Sequence, residues 1–271
     1  MALLESTRPI TTLLGLGGAY IGGMVAGAPL ISLPIILAMI VVFLVGSGSM
    51  PFNDYFDRNI DVISHPERPI PSKRISPKEA LFFSFGLFAA ALVISYFINW
   101  LCFAIVIFSI VSLYVYETWF KNRGFIGNIY VAFLSSMSFT LGGAAVGNPF
   151  ASLTLATLTF FLFTGRETLK DVQDVKGDAL SRNTLPMRIG ERNAAIIGSI
   201  FLIIAIIITP FPYILNQLRI GYLLFIIIVD IICIYGIIET LKDLRNTEKT
   251  ISLIRTAAAI GIIAILVGAI L

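Results

Sequence analysis

The stretch MIVVFLVGSGSMPFNDYFDRNID, from Met39 to Asp61, joins an apolar run to three closely spaced carboxylates. The apolar run ends at Val45, and Asp54, Asp57 and Asp61 follow it. An apolar segment followed by several acids indicates a membrane helix that presents charged groups where it leaves the bilayer. The rest of the chain has the same character.

The composition indicates a membrane protein. Of the 271 residues, 57% are hydrophobic and 13% are charged, whereas soluble domains contain about 25% charged residues. One large soluble core would need polar helix faces that this sequence does not supply. The cysteines, Cys102 and Cys233, lie in apolar runs, which favours buried thiols over a disulfide or a metal site. We expect no nucleic-acid partner.

Nine runs of mostly apolar residues have about the length that a helix needs to cross a bilayer. They cover residues 10–28, 32–50, 78–98, 100–119, 126–147, 150–167, 194–214, 219–240 and 251–271. With these spans, 18 of the 19 basic residues lie on the side of the N-terminus and of two long loops, and only Arg219 lies on the other side. The positive-inside rule therefore predicts an all-α, multi-pass protein of the cell membrane. Its N-terminus and its loops at about 51–77 and 166–193 would be cytoplasmic, and its C-terminus outside.

The second long loop repeats the acidic spacing of the first. In RETLKDVQDVKGD, Asp171, Asp174 and Asp178 are again spaced i, i+3, i+7. In a helix, the first and last of such a triplet lie about 20° apart and the middle one about 60° away, so all three face one way. The repetition indicates a single domain with two related halves, at about 1–125 and 126–271.

Two such triplets predict a metal site, although a single one is compatible with a solvated helix end. Like charges on one helix face repel each other, so a repeated cluster calls for a cation. The available ligands are carboxylate oxygens, which favour Mg²⁺, and Mg²⁺ commonly bridges substrate phosphates. Binding a diphosphate there would also require basic side chains. The candidates are Arg8, Arg58, Lys121, Arg123, Arg166 and Lys170.

The two motifs resemble those of the UbiA-type intramembrane prenyltransferases. NDYFDRNID matches the N-D-x-x-D-x-x-x-D signature of that family, DVQDVKGD ends in its D-x-x-x-D signature, and RPIPSKRIS, from Arg68 to Ser76, is also similar. The resemblance covers essentially the whole chain. It implies nine transmembrane helices around a central cavity with a cytoplasmic polar cap. It also implies that an isoprenyl diphosphate binds with Mg²⁺. Departure of the diphosphate would then leave an allylic cation, which an acceptor attacks.

The resemblance also implies roles for individual residues. The catalytic metal-binding carboxylates would be Asp54, Asp57, Asp61, Asp174 and Asp178, with Asp171 extending the metal site. The substrate-binding residues would include Asn53 and Arg58, which lie in the matched motif, together with the neighbouring candidates Arg8, Lys121, Lys170, Arg166, Arg182 and Tyr116. Many members carry a tyrosine and a lysine four residues apart, whereas YETWFK places Tyr116 and Lys121 five apart.

Three stretches look most like the archaeal digeranylgeranylglyceryl phosphate synthases: RPIPSKRIS, GRETLKDVQDVKGD and LGGAAVGN. That resemblance implies transfer from geranylgeranyl diphosphate to a lipid-like acceptor, geranylgeranylglyceryl phosphate, in ether-lipid synthesis. One alternative is an aromatic acceptor such as 4-hydroxybenzoate or another quinone, haem or chlorophyll precursor. A transporter is the alternative of another class, but 15 of the 16 acids lie at cytoplasmic ends or loops rather than along the spans.

Two features inside the spans complete the expectations. The small-residue spacing of GLGGAYIGGMVAG and LGGAAVG predicts close helix packing, and room for an isoprenoid chain is the alternative. Asp230 lies alone in the middle of a span, so it is a functional candidate by default.

Overall fold

The computed structural model describes residues 1–175 and 183–270, and in these ranges its regular structure consists of helices only. In chain order the helices are α1 (Ala2–Ser6), α2 (Pro9–Val25), α3 (Leu33–Ser64), α4 (Pro77–Ile98), α5 (Trp100–Val115), α6 (Phe125–Ala145), α7 (Pro149–Gln173), α8 (Leu185–Ile189), α9 (Glu191–Ile208), α10 (Phe211–Ile214), α11 (Gly221–Lys242) and α12 (Thr247–Ile270). A π-helix covers Tyr116–Phe120, and a 3₁₀ turn covers Leu244–Asn246. The predicted all-α class is confirmed.

Seven helical segments of the described chain are long and apolar enough to cross a membrane. They are Leu33–Ser64, Pro77–Ile98, Trp100–Phe120, Phe125–Ala145, Glu191–Ile214, Gly221–Lys242 and Leu244–Ala269. These segments support an integral membrane protein, since each has roughly the length of a bilayer core.

Two further long helices, α2 and α7, are not among these seven, for different physical reasons. α2 has 17 residues, fewer than the about 20 that a bilayer core requires. α7 has 25 residues, but threonines interrupt its apolar sequence, and Arg166 and Glu167 lie within it. The count of nine spans therefore stays a prediction.

The apolar run at residues 32–50 is the first part of a longer helix. α3 continues without interruption from Leu33 to Ser64, so the apolar segment and the three aspartates of the first motif share one helix. The helical spacing of Asp54, Asp57 and Asp61 is thereby confirmed.

The chain divides into two compact units. The first consists of Met1–Glu117 and Met137–Pro149, and the second of Thr118–Ser136 and Phe150–Leu271. Helix α6 contributes its first part to the second unit and its last part to the first unit. The single domain with halves at about 1–125 and 126–271 stays a prediction.

Small residues let α2 and the end of α6 approach each other closely in the first unit. A β-carbon on Gly22 would collide with the carbonyl oxygen of Phe139, and one on Gly142 would collide with the carbonyl oxygen of Ala19. The backbones are therefore in direct contact, and the packing role predicted for both glycine-rich stretches is confirmed. Cys102 lies in the core beside them as a buried free thiol.

Larger aliphatic side chains form the core of the second unit. Its buried members are Leu169, Val172, Ala194, Ala195, Leu202, Ile237, Ile251 and Ile254. A β-carbon on Gly165 would lie 2.7 Å from the carbonyl oxygen of Gly198, so α7 and α9 also meet through their backbones. Cys233 is buried and free in this unit, which confirms the prediction of two buried thiols.

Candidate active site

The first acidic motif occupies the last three turns of α3. Asp54 and Asp61 are buried, with 1% and 3% of their surface exposed, whereas Asp57 is half-buried. Their i, i+7 spacing places the two buried carboxylates on nearly the same helix face. Buried carboxylates are unfavourable unless cations or hydrogen-bond donors compensate them.

Two arginines from outside α3 supply that compensation. Arg8 Nη2 donates a hydrogen bond of 2.5 Å to Oδ1 of Asp54. Arg68 Nη1 lies 2.7 Å from both carboxylate oxygens of Asp61 and 3.6 Å from Oδ1 of Asp54. Nη1 of Arg68 thus faces both buried carboxylates.

Arg8 reaches Asp54 from an unusual backbone conformation. Its φ of 48° and ψ of 61° are left-handed, which is unfavourable by about 1–3 kcal/mol for a residue other than glycine. Arg8 is the N-cap of α2, and its conformation turns the chain into α2, which begins at Pro9. Strained backbone that directs a charged side chain at a buried acid is typical of functional sites.

An apolar cluster fixes the loop that carries Arg68. Ile70 and Ile75 are buried together with Ala80 of α4, and Ala2 and Leu3 of α1 pack against them. The N-terminal helix therefore covers the loop and limits the movement of its backbone.

Polar contacts hold the same loop at both ends. Arg74 donates hydrogen bonds of 2.5 and 2.7 Å to the two carboxylate oxygens of Glu5, and one of 2.7 Å to the carbonyl oxygen of Glu67. The hydrogen bond from Arg74 lowers the pKa of Glu5 below its ordinary value. The loop ends in a capping box, in which Ser76 and Glu79 exchange side-chain and backbone hydrogen bonds at the start of α4.

Two other residues of the first motif bind protein groups. Asn53 Nδ2 donates a hydrogen bond of 2.7 Å to Oε1 of Glu117. Arg58 donates to the carbonyl oxygen of Tyr55 at 2.6 Å, and its guanidinium carbon lies 4.6 Å from the centroid of that tyrosine ring. Both residues are half-buried, and their roles in diphosphate binding stay predictions.

A π-helix follows α5 at Tyr116–Phe120. In a π-helix each backbone hydrogen bond joins residues five apart in the chain, one more than in an α-helix. The π-helix coincides with the extra residue that separates Tyr116 from Lys121, relative to the family spacing of four. Lys121 is buried, with 8% of its surface exposed, which is rare for lysine. Short π-helices of this kind are frequent at functional sites.

The second acidic motif begins on the last turn of α7. Asp171 is buried, and its Oδ2 accepts a hydrogen bond of 2.7 Å from Nδ2 of Asn128. Asp174 is half-buried, and its N–H donates to the carbonyl oxygen of Lys170 at 2.9 Å, so helical hydrogen bonding reaches it. Asp178 and Arg182 lie outside the described residues.

The basic residues beside this motif differ in their surroundings. Arg166 Nη1 donates to Oε1 of Glu167 at 2.6 Å, and its guanidinium carbon lies 5.8 Å from the ring centroid of Phe163. Lys170 is exposed on the following turn. Their predicted contacts with a diphosphate stay predictions.

Comparison with known proteins identifies the family. A model of the UbiA prenyltransferase family matches residues 15–269. The chain belongs to this family. It is 39% identical over 236 residues to the digeranylgeranylglyceryl phosphate synthase of Natronomonas pharaonis, a match that covers 85% of this chain and 83% of the relative.

Solved structures of UbiA proteins have the same fold. A structure of a digeranylgeranylglyceryl phosphate synthase matches with a TM-score of 0.87 at 32% identity, covering 99% of this chain and 98% of the other. A UbiA homologue from Archaeoglobus fulgidus, solved with DMAPP and Mg²⁺ bound, matches with a TM-score of 0.74 at 19% identity over the full length of both chains. The UbiA fold is therefore established for this chain.

The first motif of this UbiA protein supplies carboxylate oxygens, which are the ligand type that Mg²⁺ prefers. Among the residues that the structure describes, no group of three or more Asp, Glu, His or Cys side chains is close enough to hold a metal ion. However, Mg²⁺ often takes only one or two protein carboxylates and fills its other positions with water and phosphate oxygens. Asp54 and Asp61 supply two buried carboxylates that already converge on one positive charge. The larger site of six carboxylates stays a prediction.

Three contacts at these UbiA motifs involve residues that the sequence patterns do not single out: Arg68, Asn128 and Glu117. Buried carboxylates require cationic partners, but the chain offers many basic residues, and no sequence rule distinguishes Arg68 among them. Asn128 and Asp171 are 43 residues apart, so their contact exists only because two helices pack together. The one sequence feature that points to Arg68 is its position in RPIPSKRIS, the stretch that resembles the family.

Proposed function

We propose that the chain transfers a geranylgeranyl group from geranylgeranyl diphosphate to geranylgeranylglyceryl phosphate, with Mg²⁺ as cofactor. The observation that carries this proposal is the 39% identity, over most of both chains, to a relative named for the product of this reaction. The pair of buried carboxylates on α3 supports it, because Mg²⁺ at a phosphate substrate is commonly held by one or two carboxylates.

The reaction exchanges one C–O bond for another. The bond between the allylic carbon and the diphosphate breaks, and the diphosphate leaves with the electron pair. The acceptor hydroxyl then gives an electron pair to the allylic cation, and its proton passes to the released diphosphate. Bound Mg²⁺ would supply charge neutralisation at the leaving diphosphate. The protein has to bind the diphosphate, orient the acceptor and exclude water from the cation.

The proposal assigns roles to both motifs. The metal ligands would be Asp54, Asp57, Asp61, Asp171, Asp174 and Asp178. The substrates would be bound by Asn53, Arg58, Lys121, Lys170, Arg8, Arg166, Arg182 and Tyr116. Asp54, Asp61 and Lys121 are buried, and buried ionisable groups are concentrated at functional sites, which supports these roles.

The proposal also includes a topology in the cell membrane. The nine long helices of the described residues would all cross it, with the N-terminus and both long loops in the cytoplasm and the C-terminus outside. The position of 18 of 19 basic residues on one side supports this orientation. In a cysteine-free background, we expect Asn148→Cys to react with a membrane-impermeant thiol reagent on intact cells, and Ser72→Cys to react only after permeabilisation. The reverse result would contradict the orientation.

The function is tested by turnover of the purified protein in lipid. Geranylgeranyl diphosphate and Mg²⁺ are supplied with either geranylgeranylglyceryl phosphate or 4-hydroxybenzoate, and the products are separated by mass. We expect a digeranylgeranyl product with the first acceptor only. Prenylation of the aromatic acid alone would refute the acceptor and retain the reaction type. Ion flux in liposomes without any prenyl transfer would refute the enzyme.

A further inference from the structure

The buried acids of α3 are neutralised by the protein's own cations. Arg8 pairs with Asp54, and Nη1 of Arg68 lies between Asp54 and Asp61. Two negative charges therefore face two positive charges in a buried environment. A divalent cation that approaches these carboxylates meets two guanidinium groups, and like charges repel more strongly beside buried groups than in bulk water.

We propose that Arg68 competes with Mg²⁺ for Asp54 and Asp61, and that it transfers its hydrogen bonds to the diphosphate when metal and diphosphate bind together. Binding of the metal then depends on the diphosphate. This inference rests on the proposed function, since it assumes that these carboxylates bind Mg²⁺ and that the substrate is a diphosphate.

The chemistry of the guanidinium group makes such an exchange possible. Arginine binds carboxylate and phosphate oxygens with the same fork of N–H donors. Arg68 contacts both oxygens of Asp61 through one nitrogen, Nη1, and 21% of its side chain is exposed. Its guanidinium group is therefore accessible to a second anion while it still faces the acids.

Charge balance favours the exchange. When Mg²⁺ replaces the guanidinium at the carboxylates, the displaced positive charge needs a new anionic partner, because an unpaired charge in a partly buried site is unfavourable. The diphosphate supplies that partner. Metal without diphosphate leaves Arg68 without an anionic partner, whereas metal with diphosphate supplies that partner.

The surrounding loop limits the exchange to the side chain. Ile70 and Ile75 anchor the part of the loop that follows Arg68, and Arg74 ties it to Glu5 of α1. Arg68 is thus a long side chain on a fixed backbone. Rotation of its side-chain torsions is sufficient to move the guanidinium by several ångströms.

The test measures Mg²⁺ binding by titration calorimetry, which does not depend on turnover. Mg²⁺ is titrated into the purified protein alone and with geranylgeranyl thiodiphosphate, an unreactive diphosphate analogue. For the wild type, we expect affinity for Mg²⁺ to rise at least about tenfold with the analogue. For Arg68→Gln, we expect affinity without the analogue to rise about tenfold, because a competing positive charge is removed, and the effect of the analogue to be largely lost.

Two further variants make the test specific to Arg68. Lys73→Gln removes an equal charge from an exposed position of the same loop, and its Mg²⁺ affinity should match that of the wild type. Arg68→Lys keeps the charge without the fork of donors, so Mg²⁺ alone should still bind weakly, with a smaller effect of the analogue. If Arg68→Gln fails to fold, Arg68→Lys still tests the transfer of hydrogen bonds to the diphosphate.

The outcomes separate this inference from the proposed function. Unchanged Mg²⁺ affinity in Arg68→Gln, or an equal gain in Lys73→Gln, would overturn the competition. An Arg68→Lys protein that responds to the analogue as the wild type does would overturn the transfer to the diphosphate. If no acceptor is prenylated but Arg68→Gln binds Mg²⁺ more tightly, the proposed function fails and the competition stands.

Discussion

The contact between α2 and the end of α6 predicts opposite effects for two glycines of the same helix. In Gly22→Ala, the new β-carbon would collide with the carbonyl oxygen of Phe139 and lie 2.8 Å from two further backbone atoms. A backbone atom cannot rotate out of the way as a side-chain atom can, so the two helices must separate. Overpacking of this kind typically lowers the free energy of unfolding by about 1–3 kcal/mol. In Gly17→Ala, the β-carbon meets nothing within 4 Å.

Replacing glycine by alanine improves helix propensity by about 1 kcal/mol at both positions. This contribution therefore cancels when the two variants are compared. The difference in the free energy of unfolding is then about 1–3 kcal/mol, which corresponds to roughly 2–12 °C in unfolding temperature for a chain of this size. Thermal unfolding in detergent, followed by circular dichroism, measures it. We expect Gly17→Ala to unfold at or above the wild-type temperature and Gly22→Ala below it. Equal shifts would refute the proposed backbone contact.

Three further predictions concern charged residues. Asp57→Ala and Asp174→Ala should each abolish prenyl transfer with unchanged helix content, and turnover at the wild-type rate would exclude the residue from the site. Hydrogen bonding from Arg74 lowers the pKa of Glu5, so its carboxylate stabilises the fold above the ordinary pKa of 4.5 and loses that contribution as the pH falls through the lowered value. The unfolding temperature of Glu5→Gln should therefore fall less than that of the wild type on acidification below pH 4.5. Identical profiles of unfolding temperature against pH would contradict the ion pair. Oδ2 of Asp230 accepts a hydrogen bond of 2.8 Å from the Thr209 hydroxyl, and asparagine keeps an oxygen acceptor. Asp230→Asn should thus retain turnover, and a loss of more than about tenfold would place Asp230 in the catalytic machinery.

The sequence predicts the helices well because their signal is local. Among the residues that the structure describes, apolar runs of bilayer length mark seven of nine long helices as spans. The other two are α2, which is short, and α7, which contains threonines and the charged pair Arg166 and Glu167. The aspartate spacing i, i+3, i+7 is a helical repeat, but the boundary predicted for this region was wrong: a loop was expected at about 51–77, whereas α3 continues to Ser64.

The partners of the acids are not predictable in the same way. Arg68 lies seven residues from Asp61 in the chain, beyond the end of α3, and the loop geometry that turns it back depends on packing against α1. Asn128 meets Asp171 only through the contact of two helices. The π-helix at Tyr116–Phe120 coincides with one extra residue between Tyr116 and Lys121, which the sequence shows only by comparison with a family spacing. Contacts of this kind require the tertiary structure.

A competition between acceptors tests the central claim most directly. Purified protein receives geranylgeranyl diphosphate and Mg²⁺ with equal concentrations of geranylgeranylglyceryl phosphate and 4-hydroxybenzoate in one vessel, and mass spectrometry measures both products. The account predicts digeranylgeranylglyceryl phosphate as the dominant product, and its formation should stop when a chelator removes Mg²⁺. Predominant prenylation of 4-hydroxybenzoate, or unchanged turnover in the chelator, would contradict it.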